Sequence, residues 1–383
     1  MTESQRADAK PSEGKFDADR TARLRAALLR WYDLHQRDLP WRRNLDPYSI
    51  WVSEIMLQQT RVLVVIERHK AFLERFPTLR SLAEAPEEDV LALWSGLGYY
   101  RRARMLHKAA QFVTQQLGGN LPVAAEELRA LPGIGAYTSA AIASIAHGER
   151  VAVVDGNVER VLCRISGWDG AGRNGGGVSV RRKVEQLATQ LVDPHHPGDF
   201  NQAMMELGAI VCTPRNPLCL ECPLRTQCVT LGEHKTAPRA KMVSKEVAHG
   251  LSVRVAPGVD GMATAGGHSS CEVLLEQRAA ALTVMPGLWE LPLLRDSAVP
   301  EADLRMTVRH AIMQVNYYVR IRTVPESEIG VLAEATGLRQ WVPLREAGGM
   351  ALTGLARKVL TRARLLPSAR MSGLTPRELA DAG

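Results

Sequence analysis

The sequence lacks the features of a secreted or membrane-spanning protein. Its 383 residues contain no run of about 18 apolar residues, the length that a helix needs to cross a bilayer. The amino terminus, MTESQRADAKPSEGKFDADR, is polar and has no apolar signal core. We therefore expect a cytoplasmic protein without a membrane partner.

Cysteine is also scarce, and its distribution is uneven. Of six cysteines, four lie within the 17 residues from 212 to 228: Cys212, Cys219, Cys222 and Cys228. Without an export signal, a disulfide framework is not expected. Four soft thiolates on one short loop can hold a tetrahedral Zn²⁺ or a [4Fe-4S] cluster. The spacing favours the cluster, because only one Cys-x2-Cys pair is present. The ligand set is complete, which indicates a structural or redox role.

The overall composition is that of an ordinary globular protein. Hydrophobic residues make up 45% and charged residues 23%, and the length predicts two or three domains. The 48 basic residues outnumber the 41 acidic ones, for a net charge of +7. This balance favours an anionic partner, although an unremarkable basic enzyme remains an alternative.

The residue pattern divides the chain into two regions. Residues 24–231 have helical periodicity and contain a glycine-rich loop at 166–177, to which we assign no role. After a linker at 232–247, the region 248–367 contains short β-rich runs and one amphipathic helix. The runs lie at 251–255, 272–276, 317–324 and 340–342, and the helix at 355–365. We expect a helical domain, then a smaller α+β domain, with tails at 1–23, which we expect to be disordered, and 368–383.

Two glycines separate two of the predicted helices. Gly133 and Gly135 lie between helical patterns at 123–130 and 136–147. Glycine permits a tight turn, and the free N–H groups at the start of the second helix can bind a phosphate. A plain helix-turn-helix corner is the other interpretation.

Two carboxylates stand out beside these patterns. On a continuous helix, Glu54, Gln58 and Arg61 would share one polar stripe, which could simply face solvent. Asp155 follows a short apolar run and could be an ordinary helix N-cap. If two carboxyl groups lie in one site, one can act as the acid that donates a proton while the other remains an anion.

Aromatic and basic residues interleave in two further segments, at 39–43 and 96–104. Rings that stack on bases, beside guanidinium groups that meet phosphates, suit distorted DNA. Core aromatics next to a solvated basic face would give the same pattern.

Taken together, these stretches resemble the adenine DNA glycosylases of the helix-hairpin-helix superfamily, relatives of endonuclease III. The resemblance rests on segments 39–43, 53–62, 96–104, 131–138, 153–158 and 200–208 and on the four cysteines. It implies a mainly α helix-hairpin-helix domain with a [4Fe-4S] loop. It also implies a monomeric base excision repair enzyme of the nucleoid that acts on double-stranded DNA. Its substrate would be adenine mispaired with 8-oxoguanine or guanine.

The resemblance also implies residue roles. Glu54 would protonate the adenine and Asp155 would stabilise the oxocarbenium-like sugar, with Tyr137 and Asn157 in support. Endonuclease III relatives place a lysine at position 137, which attacks the sugar. Tyr137 therefore predicts a monofunctional enzyme that leaves an abasic site.

Further residues would contact DNA. Adenine must leave the helix before its glycosidic bond can be reached. The resemblance assigns to the adenine pocket and its surroundings Trp41, Arg42, Leu57, Gln58 and Gln202. Gln59 and Tyr99 would wedge the gap in the duplex, and Gly133 and Gly135 would hold a phosphate.

The carboxy-terminal region resembles a Nudix-like domain that reads 8-oxoguanine. The glutamate-rich Nudix box is absent, so we expect no nucleotide hydrolysis. Many relatives carry Phe-Ser-His where this chain has Ile312, Met313 and Gln314, and His310 and Gln314 are the candidate contacts. Two alternatives remain: an endonuclease III-like glycosylase and lyase for damaged pyrimidines, and a non-catalytic iron–sulfur protein that binds DNA.

Overall fold

The computed structural model describes residues 16–168, 179–234, 242–256, 271–312 and 314–367. Of these residues, 16–83, 108–168 and 179–234 form one compact unit, and 84–107, 242–256, 271–312 and 314–367 form the other. Among the residues described, no helix is both long and apolar enough to cross a membrane. The glycine-rich loop, apart from 166–168, and the predicted tail at 368–383 lie outside them.

The first unit is helical, as the periodicity predicted. Its helices, with α6 shared between the units, are α1 (Ala18–His35), α2 (Pro47–Leu57), α3 (Val62–Arg75), α4 (Leu79–Glu84), α6 (Arg101–Gln116), α7 (Ala125–Arg129), α8 (Ala136–His147), α9 (Gly156–Ser166), α10 (Val180–Leu191) and α11 (Pro197–Ile210). Side-chain caps start several of them: Asp17, Asp46, Asp155 and Ser179 each accept a backbone N–H in the first turn. Since α1 begins at Ala18, the predicted disordered tail 1–23 is helical in its last residues.

Close packing of α9 against α11 shapes the centre of this unit. Val158, Leu162, Phe200 and Leu207 are buried in one hydrophobic core. A Cβ at Gly208 would lie 2.6 Å from the Cβ of Asn157, so only glycine allows this approach. This contact places Asn157, at the start of α9, directly against Gly208 of α11.

The second unit is α+β. Its strands are β1 (Val243–Leu251), β2 (Val253–Val255), β3 (Cys271–Gln277), β4 (Trp289–Glu290), β5 (Leu304–Ile312), β6 (Val315–Thr323) and β7 (Arg339–Pro343). One sheet has the order β1-β6-β5, with β1 and β6 parallel; in the other, β3 pairs with β2, β4 and β7. The helices α12 (Leu344–Ala347) and α13 (Gly354–Arg362) cover the shared core.

Two boundaries differ from those predicted by sequence. The predicted linker at 232–247 already contains the start of β1, because Val243 pairs with Val315 of β6. Residues 84–107, which include α5 (Glu87–Leu93), group with the second unit rather than with the helical region. Hydrogen bonds explain this grouping, since the Tyr100 hydroxyl donates to the carbonyl oxygen of Leu352 at 2.8 Å.

Candidate active site

A cavity of about 620 Å³ opens in the first unit where several helix ends meet. Its walls are formed by the turn at Pro40–Arg42, by α2 from Ile50 to Leu57, by the starts of α8 and α9, and by α11 from Gln202 to Ala209. Ten of the predicted site residues line it: Trp41, Arg42, Glu54, Leu57, Gln58, Gln59, Tyr137, Asp155, Asn157 and Gln202. The structure therefore brings together side chains that are up to 161 positions apart in the sequence.

Glu54 is a buried carboxyl on the wall of this cavity. It belongs to a stretch of α2 that is buried throughout, from Tyr48 to Met56, and it is 5% exposed. Burial, together with nearby Asp155, raises the pKa of Glu54 to about 7, although a hydrogen bond from Tyr137 opposes the rise. The side chain is thus poised to exchange a proton near neutral pH.

The predicted polar stripe through Glu54 is wrong. Helix α2 ends at Leu57, Gln58 is its C-cap and Arg61 is the N-cap of the next helix. The three residues therefore do not share one helical face. Gln58 instead donates to Thr138 Oγ1 of α8 at 3.4 Å.

Tyr137 orients the Glu54 carboxyl. Its hydroxyl donates to Glu54 Oε2 at 2.6 Å and lies 3.4 Å from the sulfur of Met205. Burial and the adjacent Glu54 raise the pKa of Tyr137 well above its usual value, so the phenol keeps its proton. One carboxyl oxygen of Glu54 is therefore fixed, and the other remains available to carry a proton.

Asp155 is both a helix cap and a cavity residue. Its Oδ1 accepts from the backbone N–H of Val158 at 2.7 Å, as expected of an N-cap. Its Oδ2 accepts from Asn157 Nδ2 at 2.9 Å. Both carboxylate oxygens of Asp155 therefore accept a hydrogen bond, which fixes the orientation of the side chain.

A buried ion network that sequence reasoning missed supports the opposite wall. Glu206 of α11 is 1% exposed at its side chain and accepts from Arg37 Nε at 2.7 Å and Arg42 Nη2 at 3.0 Å. Burial opposes its ionisation, but these two guanidinium groups lower its pKa to about 2. Glu206 lies four residues after Gln202 on the same helix face, which is the signal that could have identified it.

Arg160 connects the cavity to the cysteine loop. Its Nη2 donates to Asn157 Oδ1 at 2.9 Å, and its Nε donates to the carbonyl oxygen of Cys212 at 2.7 Å. Asn157 in turn holds Asp155. One guanidinium thus fixes both the start of α9 and the first cysteine of the loop.

The remaining predicted residues lie outside this cavity. Gly133 has φ +76° in the turn before α8, and Gly135 is the N-cap of that helix. Tyr99 and His310 line a separate cavity of about 510 Å³ within the second unit. Met285 and Ile312 line the same cavity.

Tyr99, which lines that second cavity, combines an exposed side chain with an unusual backbone conformation. It is 51% exposed and has φ +48°, a backbone conformation that side chains other than glycine rarely adopt. The guanidinium of Arg102 lies 5.3 Å from the centre of its ring. Gln314 does not line the cavity; its carbonyl oxygen accepts from the backbone N–H of Val243 at 2.9 Å. Met313 lies outside the described residues.

The four loop cysteines face one small cavity. Burial, with the neighbouring Cys212, Cys219 and Cys228, raises the pKa of Cys222 to about 11, against a backbone hydrogen bond from Leu224 that lowers it. The four sulfurs are therefore close enough to interact electrostatically. Among the residues described, no group of three His, Cys, Asp or Glu side chains is arranged to hold a metal ion. Four thiols around one cavity supply the ligand set that an iron–sulfur cluster requires.

Comparison with protein families matches two segments of the chain. Residues 52–192 match the HhH-GPD superfamily of base excision DNA repair proteins. Residues 212–228 match the iron–sulfur binding domain of endonuclease III. The second match confirms the iron–sulfur cofactor predicted from the cysteine spacing.

The chain is also similar to individual proteins. It is 49% identical over 221 residues to the adenine DNA glycosylase of Homo sapiens, covering 55% of this chain and 40% of that protein. It is 52% identical over 220 residues to the adenine DNA glycosylase of Rattus norvegicus, covering 55% of this chain and 42% of that protein. The chain thus spans about two-fifths of the length of these relatives.

A solved structure supports the helical fold. The structure of a thermostable thymine-DNA glycosylase is similar with a TM-score of 0.50 and 30% identity, covering 55% of this chain and 97% of that chain.

Proposed function

Because the chain belongs to the HhH-GPD superfamily of base excision DNA repair proteins, we propose that it is an adenine DNA glycosylase. Its substrate is adenine mispaired with 8-oxoguanine or guanine in double-stranded DNA, and it acts as a monomer in the nucleoid. One observation carries the proposal: the Glu54–Tyr137 pair and the Asp155–Asn157 pair line the same cavity. The identity to curated adenine DNA glycosylases supports the choice of base.

Glu54 is the general acid of this proposal. Its raised pKa, to about 7, leaves a substantial protonated fraction at neutral pH. Proton transfer to the adenine ring weakens the bond between N9 and the sugar, since the leaving base no longer carries full negative charge. Tyr137 holds the carboxyl during the transfer.

Asp155 stabilises the positive charge that develops on the sugar as the bond breaks. The hydrogen bonds from Val158 and Asn157 fix the orientation of its carboxylate. Water then completes the hydrolysis and leaves an abasic site. Two carboxyls thereby take opposite roles because their surroundings differ.

The cavity accepts the extruded adenine. Its volume of about 620 Å³ exceeds that of one base, and Trp41, Leu57 and Gln202 offer it an aromatic, an apolar and an amide surface. Arg42 lines the same space with its guanidinium held by Glu206. Gln58 supports this wall through Thr138.

The duplex is held outside the cavity. Gly133 and Gly135 leave the first N–H groups of α8 free to bind a phosphate beside the lesion. Gln59, with φ +56°, and the exposed Tyr99 fill the gap that the flipped base leaves. The four loop cysteines would ligate the [4Fe-4S] cluster, which would fix the conformation of the loop.

The nature of the product tests this function. Tyr137 has no amine, so the enzyme forms no Schiff base. With a duplex that holds adenine opposite 8-oxoguanine, we expect the adenine strand to break only after alkali treatment. Strand cleavage without alkali, or a covalent complex trapped by borohydride, would instead support the endonuclease III-like alternative, as would activity on thymine glycol.

The second unit is a Nudix-like domain that reads the opposite base in this proposal. Its cavity of about 510 Å³ combines the wedge residue Tyr99 with His310 and Ile312. Burial lowers the pKa of His310, so a neutral imidazole can both donate and accept a hydrogen bond. Gln314 is a second candidate contact, from the turn between β5 and β6.

Replacing His310 with Ala should reduce the preference for 8-oxoguanine over guanine by about fivefold, the value of one hydrogen bond. The measurement compares single-turnover rates on the two mismatches. Thr307→Ala, an exposed change on the opposite face of β5, is the matched control and should leave the ratio unchanged. An unaltered ratio in the His310 variant would remove this residue from the reading site.

A further inference from the structure

The guanidinium of Arg164 is buried against the cysteine loop. The side chain donates to the carbonyl oxygens of Thr213 at 2.7 Å and Pro214 at 3.2 Å, and to Cys212 Sγ at 3.3 Å. Arg164 as a whole is only 2% exposed. Over the described ranges of the chain, it forms no ion pair with a carboxylate.

A second buried arginine approaches the loop from α1. Arg20 is 6% exposed, and its Nη2 donates to the carbonyl oxygens of Ile165 at 3.1 Å and Gln227 at 2.9 Å. Gln227 directly precedes the last cysteine of the loop. The guanidinium lies over the ring of Phe16, which excludes water from it.

Buried cations require a compensating anion. Removing a guanidinium from water is costly, and carbonyl oxygens offset only part of the cost. The groups beside Arg164 that can become anionic are cysteine thiols, which lose their protons when they ligate iron. Four thiolates outweigh the positive charge of the iron–sulfur core, so the loaded site is an anion.

We infer that Arg164, supported by Arg20, neutralises the charge of the iron–sulfur cluster, and that the Arg164 bond to Cys212 Sγ sets its reduction potential. Reduction adds an electron to a site that is already negative. A nearby cation and an N–H donor to a ligand sulfur favour the reduced state, so they raise the potential. The same contacts hold the oxidised cluster against loss.

Arg164→Met and Arg164→Lys test this inference in the cluster-loaded full-length chain. The readouts are iron and sulfide per chain, the rate of iron loss to a chelator, and the reduction potential measured without DNA. We expect Arg164→Met to lose iron about tenfold faster, the lower end of the effect of changes around metal ligands, and to have a lower potential. Arg164→Lys keeps the charge but loses the planar donor group, and should lie between Met and the wild type.

Arg25→Met is the matched control. Arg25 lies in α1, as Arg20 does. Its guanidinium donates to the backbone carbonyl oxygens of Gln190, Leu191 and Val192, away from the cysteines. Its change should leave both the potential and the iron-loss rate unaltered. If Arg164→Met does not fold, Arg20→Met and Arg164→Lys carry the test.

Wild-type potentials and iron-loss rates in the folded Arg164 and Arg20 variants would overturn the inference. None of these readouts depends on adenine release. The inference can therefore fail while the proposed function holds, and the reverse is equally possible.

Discussion

Glu54→Gln should lower the single-turnover rate of adenine release by about 10²- to 10⁴-fold, the usual contribution of a general acid. The amide has nearly the same shape and can still accept the hydrogen bond from Tyr137, but it has no proton to transfer. Duplex affinity, measured by fluorescence anisotropy, should change little. A variant that loses binding as well as excision would place Glu54 in a structural role.

The dependence of the adenine-release rate on pH should show whether Glu54 acts in its protonated form. Glu54 must be protonated, and its pKa is about 7, so the rate should fall as pH rises through that value. The Tyr137 hydrogen bond lowers this pKa. In Tyr137→Phe the fall in rate should therefore move to higher pH, whereas a purely structural tyrosine would leave its position unchanged.

Stability provides an independent check on the same carboxyl. The pKa of Glu54 is raised in the folded state from 4.5 to about 7, so the folded protein binds this proton more tightly than the unfolded chain. Wild-type stability should therefore decline relative to Glu54→Gln as pH rises from about 4.5 to 7, by about 3 kcal/mol in total. Thermal melts should show a small gap at pH 5 and a gap close to its full size at pH 8.

Glu206→Gln should destabilise the helical unit by about 3–5 kcal/mol at pH 7, because the change leaves the largely shielded guanidinium groups of Arg37 and Arg42 without their shared anion. The pKa of Glu206 is lowered to about 2, so its contribution is complete above about 4.5 and is lost as pH falls through 2. Urea unfolding at pH 7 and pH 3 should show the deficit shrinking at the lower pH. Adenine release should also require more substrate, since Arg42 loses its anchor.

Asp38→Asn is the matched control for that substitution. Arg43 makes an equally close ion pair with Asp38, at 2.6 Å, but both side chains are more than half exposed. Exposed pairs contribute at most about 1 kcal/mol. A Glu206 variant no less stable than this control would show that the buried network does not support the cavity wall.

Local signals in the sequence predicted much of the site. Helix α8 was expected at 136–147 and is observed at Ala136–His147, because glycines define both of its ends. The cap at Asp155 and the cysteine loop were likewise visible, since each depends on residues close together in the chain. The resemblance, rather than periodicity, selected Glu54, and the structure explains why: α2 is buried on all sides there.

Contacts between distant residues could not be predicted. Glu206 meets Arg37 across 169 positions, and Tyr100 meets Leu352 across 252. The first contact builds the cavity wall, and the second draws residues 84–107 into the second unit. The strand β5 was not predicted, although exposed and less exposed residues alternate along it, and its pairing with β6 establishes it.

The most direct test of the central claim is the amount of free adenine released under single-turnover conditions. Cluster-loaded wild-type protein and Asp155→Asn would each be incubated with duplexes that hold adenine opposite 8-oxoguanine, guanine or thymine. We predict release by the wild type from the first two duplexes only, and no release by Asp155→Asn despite normal duplex binding. Absence of adenine release by the wild type, or an Asp155→Asn variant with the wild-type rate, would contradict the proposed chemistry.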